Sequence, residues 1–379
     1  MTLPLDGIRV VEFSHMVMGP SCGMILADLG AEVIKVEPSE SDKTRRLPGL
    51  GCGFFRTFNR NKKSVVLDID TPEGLAAAVD LVAGADVMIE NFRPGRMVEI
   101  GLGYEALATG NPRLIYVSHK GFLPGPYEKR TALDEVVQMM GGLAYMTGPP
   151  GRPLRAGTSV NDIMGGMFGV IGILAALRQR ESTGRGQEIQ SGLFENCVFL
   201  CAQHMQQFAM TGVKPPPVPL RKSPFSVYDT FTLAGGEQLF IAAVSDRAWF
   251  RLCEVLEADD LAGDEGLRTN TQRCALRDTL IPSLAERLKD RRAVELAAAL
   301  EKAGIPYAQV RSPDQLFDDP HLKESGALAT LLTDTGETTE IPLLPLMMGG
   351  QRLGVRRPLP KIGEHTEEIL STLRRRETA

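Results

Sequence analysis

Apolar residues in this chain gather first into short β-branched runs and then into longer periodic stretches. IRVVEF (8–13), AEVIKVE (31–37), SVVLD (64–68), DVMIE (86–90) and LIYVS (114–118) are nearly continuous rather than alternating, the pattern of strands covered on both faces. Residues 19–29, between the first two, carry a helical pattern, with Pro20 suited to a first turn and Gly30 to a helix end. Helical stretches separate the later runs as well. Strands alternating with helices predict a parallel sheet in an α/β domain.

Residues Ile163 to Leu177 predict a helix that is apolar all the way round and must therefore be buried. Gly165, Gly166, Gly169 and Gly172 recur along it at intervals of three or four, a side-chain-poor strip on which another backbone or a ligand can lie. Arg178 and Arg180 suit its C-terminal dipole, and Gly184 suits a stop. A second helix is predicted over Ser191 to Met210. KPPPVPLRKSP (214–224) then breaks the periodicity with five prolines and marks a linker. Beyond it, strands at 227–233 and 239–244 around Gly235-Gly236 predict a hairpin. Helices at 247–256, 276–288 and 293–303 and a short strand at 307–310 complete a smaller α+β domain over 225–311. Residues 312–325 form the way out of it, and GEHTEEIL (363–370) predicts a short helix in the tail.

At 379 residues and 43% hydrophobic, the chain has core enough for two or three domains. A net charge of −5 gives no nucleic-acid footprint, so any phosphate must be met by local Lys and Arg. The longest apolar run, 163–177, falls short of the roughly 20 residues of a membrane span, and none is expected. The N-terminus enters a strand pattern without signal-peptide features. With six cysteines and no C-x-x-C pair, a reduced, cytoplasmic location is expected. Cys197, Cys201 and His204 are spaced to share a helix face but lack a fourth ligand, so packing is expected there and no metal.

Candidate chemistry begins at the opening strand–helix–strand. Glu37 lies where a dinucleotide fold places its ribose acid, yet the first turn, SHMVMGP, lacks the G-x-G-x-x-G that lets backbone hug a pyrophosphate. No nicotinamide is expected, and the strand ends are left as a cleft for another ligand. Asn59 to Lys63 and Asn91 to Arg93 fall at loops flanking strands, where solvated surface is the plain expectation. Asp162 is a lone carboxylate at the head of the apolar helix. It suits an N-cap, and it equally suits a nucleophile that splits an acyl transfer into two steps through a mixed anhydride. The two roles are compatible.

Taken together, LDGIRVVEFSH with LADLGAEVIKVE, NRNKKSVVLDIDTPEG, ADVMIENFRPG, ALDEVVQMMGGLAYMTG, the NDIMGG helix with TGRGQ, and IGEHTEEIL resemble the family III CoA-transferases. This is the CaiB/BaiF type, which includes formyl-CoA transferase and the fold-related α-methylacyl-CoA racemases. The likeness runs nearly end to end. It implies a Rossmann-like large domain with a parallel sheet, built from residues 1–213 and completed by 326–379, the smaller domain inserted between them, and two subunits interlocked as a homodimer. It also implies that CoA passes from an acyl-CoA to a free acid through aspartyl anhydride and aspartyl-CoA intermediates on Asp162, with no metal, membrane or nucleic acid involved. By the same resemblance His15, Met16 and Met18 line the adenine and ribose end of the CoA, Leu67, Asn91 and Phe92 its body, Arg93 the phosphates, and Asp134 the thioester. Basic residues of formyl-CoA transferase are replaced here by Pro38, Glu99 and Thr131. Lys43, Arg45, Arg46, Lys62, Lys63, Arg93 and Arg96 become the phosphate candidates. The glycine-run loop of that enzyme is absent, so a formate and oxalate specificity is not implied. Leu133 stands where the racemases need a histidine, which makes racemisation the weaker member of the alternatives, beside a non-catalytic CoA-binding protein. A short dicarboxylate acceptor with a succinyl-CoA-type donor is the substrate expectation.

Overall fold

The computed structural model describes residues 2–220 and 224–377; residues 221–223 of the predicted linker lie outside the described residues. The chain divides into two compact units, Met1–Leu220 with Pro320–Ala379, and Arg221–Asp319. Residues 312–319 fall in the second unit, where the sequence pattern suggested a return linker, because 313–318 coil into a 3-10 turn.

The first unit is built on β1 (Arg9–Phe13), α1 (Met18–Asp28), β2 (Glu32–Glu37), β3 (Lys63–Val66), α2 (Pro72–Ala83), β4 (Val87–Glu90), α3 (Tyr104–Gly110) and β5 (Ile115–Lys120). Then come α4 (Asp134–Met140), α5 (Val160–Thr183), β6 (Glu188–Gly192) and α6 (Leu193–Thr211). All six strands pair in parallel, in the order β3-β2-β1-β4-β5-β6. That is the doubly wound order, and it follows from strands too apolar to expose either face. One face packs Val11, Phe13, Ile34 and Met88 under α2; the other packs Val10, Val33, Ile89 and Val117 under α1 and α5.

Helix α5 starts at Val160, earlier than its apolar run, and ends at Gly184, whose φ of 69° gives the left-handed stop. At 24 residues it is long and apolar enough to cross a bilayer by length and composition. Its length beyond 163–177 comes from the polar Asn161, Asp162 and 178–183 segments. The glycine strip does not form a ligand bed, because α1 already occupies it: a Cβ on Gly166 would sit 2.0 Å from Ser21 Oγ and 2.7 Å from the Met18 carbonyl oxygen.

The second unit is a sheet of β7 (Val227–Thr232), β8 (Gln238–Ala243) and β9 (Tyr307–Gln309), antiparallel throughout. Helices α7 (Asp246–Leu256), α8 (Arg277–Leu288) and α9 (Ala293–Ala303) cover it around buried Trp249, Leu252, Leu284 and Leu300. Back in the first unit, β10 (Leu328–Leu332) and β11 (Thr338–Pro342) form a hairpin, β12 (Met347–Met348) and β13 (Gln351–Arg352) a shorter one, and α10 (Thr366–Glu377) closes the chain. The tail is stitched to β3: Val66 N–H donates to Thr366 Oγ1 at 3.0 Å, and Lys63 pairs with Glu368 at 2.7 Å.

The segment 59–63 is a correction to the solvated-surface expectation. Asn59, Arg60, Asn61, Lys62 and Lys63 are all buried. The three cations find their counter-charges far away in sequence: Arg60 meets Asp28 at 2.6 Å, Lys62 meets Glu12 at 2.7 Å, and Lys63 meets Glu32 at 2.8 Å. Buried charge survives only when paired in this way.

Candidate active site

Strands β1 and β4 are neighbours in the sheet, but their outgoing connections leave on opposite faces, which opens a crevice at their carboxyl ends. Side chains from the two loops bridge that crevice. The His15 N–H donates to Asn91 Oδ1 at 3.0 Å, and Asn91 Nδ2 donates to the His15 carbonyl oxygen at 2.7 Å. Met16 is held at φ 64°, a conformation that costs energy for a residue other than glycine. It is held there by its N–H to Thr44 Oγ1 at 3.1 Å. Below the loop, fully buried Lys35 donates to the Ser14 carbonyl oxygen at 2.6 Å and pairs with Asp42 at 3.0 Å. Glu37 is committed to Arg45 at 2.6 Å and to Ser64 Oγ at 2.6 Å, so its carboxylate is not free to receive a ribose.

A cavity of about 640 Å³ opens from this crevice. Of the residues singled out in the sequence, His15, Met16, Met18, Asn91, Phe92, Arg93, Asp134 and Asp162 line it. Leu67 does not: it is buried among Phe13, Val36 and Val65 in the sheet core. His15 stands edge-on to Phe92, ring centres 5.7 Å apart, and burial holds its imidazole below its ordinary pKa.

Asp162 lies in the first turn of α5, not at its N-cap, which is Ser159 and makes no side-chain cap bond. The capping is done from another helix. Asp134, at the start of α4, accepts from the backbone N–H groups of Asn161 at 2.9 Å and Asp162 at 3.3 Å through Oδ1. Its Oδ2 accepts from Gln138 Nε2 at 2.5 Å and lies 3.5 Å from the Arg155 guanidinium. Gln138 Oε1 in turn accepts from the Ala156 N–H at 2.8 Å, tying down the small-residue loop ahead of α5. The Asp162 side chain is thereby left without a cap to make and faces the cavity. Burial, with the adjacent Asp134 charge second, pushes its pKa up to about 7, against a smaller opposing pull from Arg155. A carboxylate of raised basicity in a part-buried site is a stronger nucleophile than an ordinary aspartate once it is ionised.

Several lining residues had no signal in the sequence. His119 on β5 is buried, neither ring nitrogen has a protein hydrogen-bond partner, and burial pushes its pKa down to about 3, so the ring is neutral. It is wedged against Gly169, where a Cβ would come within 2.6 Å of its Cε1. Lys120 pairs with Glu90 at 2.7 Å. Lys129 and Arg130 have no carboxylate partner among the described residues. The Arg130 guanidinium lies 4.9 Å from the Tyr127 ring centre. Cys197 and Cys201 are buried on α6, and among the described residues no group of three His, Cys, Asp or Glu side chains converges as a metal site.

A family model described as CoA-transferase family III matches residues 5–366. The succinate–glutarate CoA-transferase of Agrobacterium fabrum is 34% identical over 98% of this chain and 96% of its own length. The succinyl-CoA–D-citramalate CoA-transferase of Chloroflexus aurantiacus is 32% identical over 98% and 94%. The crystal structure of a CAIB/BAIF family protein from Brucella suis superposes with a TM-score of 0.90 at 35% identity, covering 98% of this chain and 100% of that one.

Proposed function

The chain belongs to CoA-transferase family III and is a CoA-transferase, and we propose that it moves CoA from a succinyl-CoA-type donor to a short dicarboxylic acid, with Asp162 as nucleophile. The observation that carries this is the placing of Asp162: a carboxylate of raised pKa facing the cavity with no capping bond of its own to make, its helix capped by Asp134 instead. The Asp162 carboxylate attacks the thioester carbonyl, the C–S bond breaks and CoA thiolate leaves, giving a mixed anhydride. The thiolate re-attacks on the Asp162 carbonyl carbon, releasing the donor acid and leaving an aspartyl-CoA thioester. The acceptor carboxylate displaces the thiolate to form a second anhydride, which the thiolate opens at the acceptor's carbonyl. Asp162 is regenerated with no net proton change. One thioester replaces another, so the exchange is near balance and needs exclusion of water more than a source of energy.

A dicarboxylate is favoured by Lys129 and Arg130, two cations at the cavity without carboxylate partners among the described residues, suited to a second carboxylate. The relatives described as acting on succinate, glutarate and D-citramalate point the same way. CoA is taken as substrate, with its adenosine end at His15 to Met18. We also propose an interlocked homodimer. Support comes from apolar side chains left exposed on two helices of the first unit, Met167, Ile171 and Leu174 on α5 and Phe199 and Phe208 on α6, which a second copy would cover. A panel of acyl-CoA donors against free acids tests the substrate reading: succinyl-CoA with glutarate-sized diacids is expected to lead, and exclusive use of long monocarboxylic acids would overturn it.

A further inference from the structure

Among the described residues, the non-glycine positions with φ in the left-handed region are Met16, Ser41, Asn61 and Glu257. Asn61 is of a type that tolerates this region, Glu257 ends helix α7, and Ser41 leads into the 3-10 turn 43–46. Met16 ends no helix and has no short polar side chain to compensate. Left to itself, a methionine is disfavoured in that region by about five- to thirtyfold. Yet Met16 is exposed, and it lines the same cavity as Asp162. A strained residue in the wall of a site persists only where its surroundings over-determine it.

One hydroxyl does this for Met16. Buried Thr44 accepts the Met16 N–H at Oγ1 and also donates from Oγ1 to Met16 Sδ at 3.9 Å, so a single group fixes both backbone and side chain. Thr44 is in turn anchored to the sheet. Its N–H donates to Asp42 Oδ1 at 2.9 Å, the Asp42 N–H donates to Glu37 Oε2 at 3.1 Å, and the Asp42 carboxylate pairs with Lys35, both partners lying on β2. The peptide groups just ahead of Met16 are held as firmly: Lys35 takes the Ser14 carbonyl oxygen, and Asn91 takes the N–H and the carbonyl oxygen of His15. Two whole peptide units, from the Ser14 carbonyl to the Met16 N–H, are therefore fixed by side chains of three other segments. Thr44 holds the strained end.

We infer that Thr44 is a positioning residue for the acyl-CoA: it keeps Met16 in the left-handed conformation, so that this part of the cavity wall is set before the thioester arrives. The inference rests on the reading of this cavity as an acyl-CoA site, because a thioester that reaches Asp162 must enter the space that Met16 lines. Without the hydroxyl, Met16 relaxes to negative φ, and only the fraction of molecules still in the left-handed conformation is ready to bind. Apparent affinity then falls by the inverse of that fraction, while the saturated complex, and so its turnover, is unaltered.

The test is steady-state CoA transfer from succinyl-CoA to saturating glutarate by the wild type, Thr44→Val, Thr44→Ala and Thr44→Ser, with melting curves to confirm folding. Thr44→Val and Thr44→Ala are expected to raise KM for succinyl-CoA by about five- to thirtyfold with kcat unchanged. Thr44→Ser keeps the hydroxyl and is expected to restore the wild-type KM. In a Met16→Gly background the left-handed region carries no steric cost, so adding Thr44→Val should move KM little from that background's own value. An unmoved KM in folded Thr44→Val, a loss confined to kcat, or an equal effect of Thr44→Val with and without Met16→Gly would overturn the inference while leaving the CoA-transferase reading intact. A wild type that transfers CoA from no acyl-CoA to any acid would instead overturn the reading of the cavity, and the inference with it.

Discussion

Asp134→Asn separates the two causes that raise the pKa of Asp162. The substitution keeps an oxygen able to accept from the Asn161 and Asp162 N–H groups, so the helix cap survives, but it removes the charge beside the Asp162 carboxylate. A like charge within a few ångströms at an effective dielectric constant of about 20 repels by on the order of 1–4 kcal/mol, and the Asp134 charge is the second cause of the shift after burial. Burial is the larger cause of the shift and is unchanged. The pKa of Asp162 is therefore expected to fall from about 7 by about one to two units without reaching the ordinary aspartate value. In the proposed mechanism only the ionised form attacks, so kcat/KM for CoA transfer should rise with pH through a single ionisation near 7 in the wild type. In Asp134→Asn the same rise should lie about one to two units lower. Loss of the Gln138 bond to Oδ2 changes the height of the profile, not its midpoint. An acid limb that stays where it was, or moves upward, would refute the electrostatic account of the site.

Three further outcomes follow from the same structure. Gly166→Ala forces a Cβ to within 2.7 Å of the Met18 carbonyl oxygen, so α1 and α5 must part, at about 1–3 kcal/mol of stability readable as a lower denaturant midpoint. Because the folded pKa of Asp162 lies above its unfolded value, its ionised form burdens the folded chain increasingly as pH rises from the unfolded pKa to about 7. Asp162→Asn should therefore melt higher than the wild type by a larger margin at pH 8 than at pH 5 in thermal scans. If the proposed interlocked homodimer forms, the chain should sediment as a dimer at every dilution at which it stays folded, and a folded monomer in the ultracentrifuge would contradict the proposal.

The first-unit sheet was legible because buried parallel strands write themselves as apolar runs, and β1, β2, β4 and β5 appear within a residue or two of IRVVEF, AEVIKVE, DVMIE and LIYVS. The sixth strand, Glu188–Gly192, was not: EIQSG is polar, and it becomes a strand only because β5 offers a hydrogen-bonding edge. The same limit hid the burial of Arg60 and Lys62. Their counter-charges, Asp28 and Glu12, lie on α1 and β1, and nothing in a string of Asn, Arg and Lys announces them. At the site, the loops after β1 and β4 and the lone Asp162 were readable. The role of Asp134 as cap for a helix 26 residues further along was not, since the bond exists only once α4 and α5 meet. His119 gave no signal either; its isolation is a property of its neighbours, Gly169 above all.

The central claim is that acyl and CoA groups pass through the carboxylate of Asp162, and it is tested most directly by mass spectrometry of the peptide containing that residue. The enzyme is mixed with an acyl-CoA and quenched with hydroxylamine or borohydride, with Asp162→Asn treated in parallel. The account predicts a hydroxamate or reduced side chain at Asp162 in the wild type, none in Asp162→Asn, and a loss of turnover by orders of magnitude in that variant. An unmodified Asp162 peptide under turnover, together with near-normal CoA transfer by folded Asp162→Asn, would contradict it.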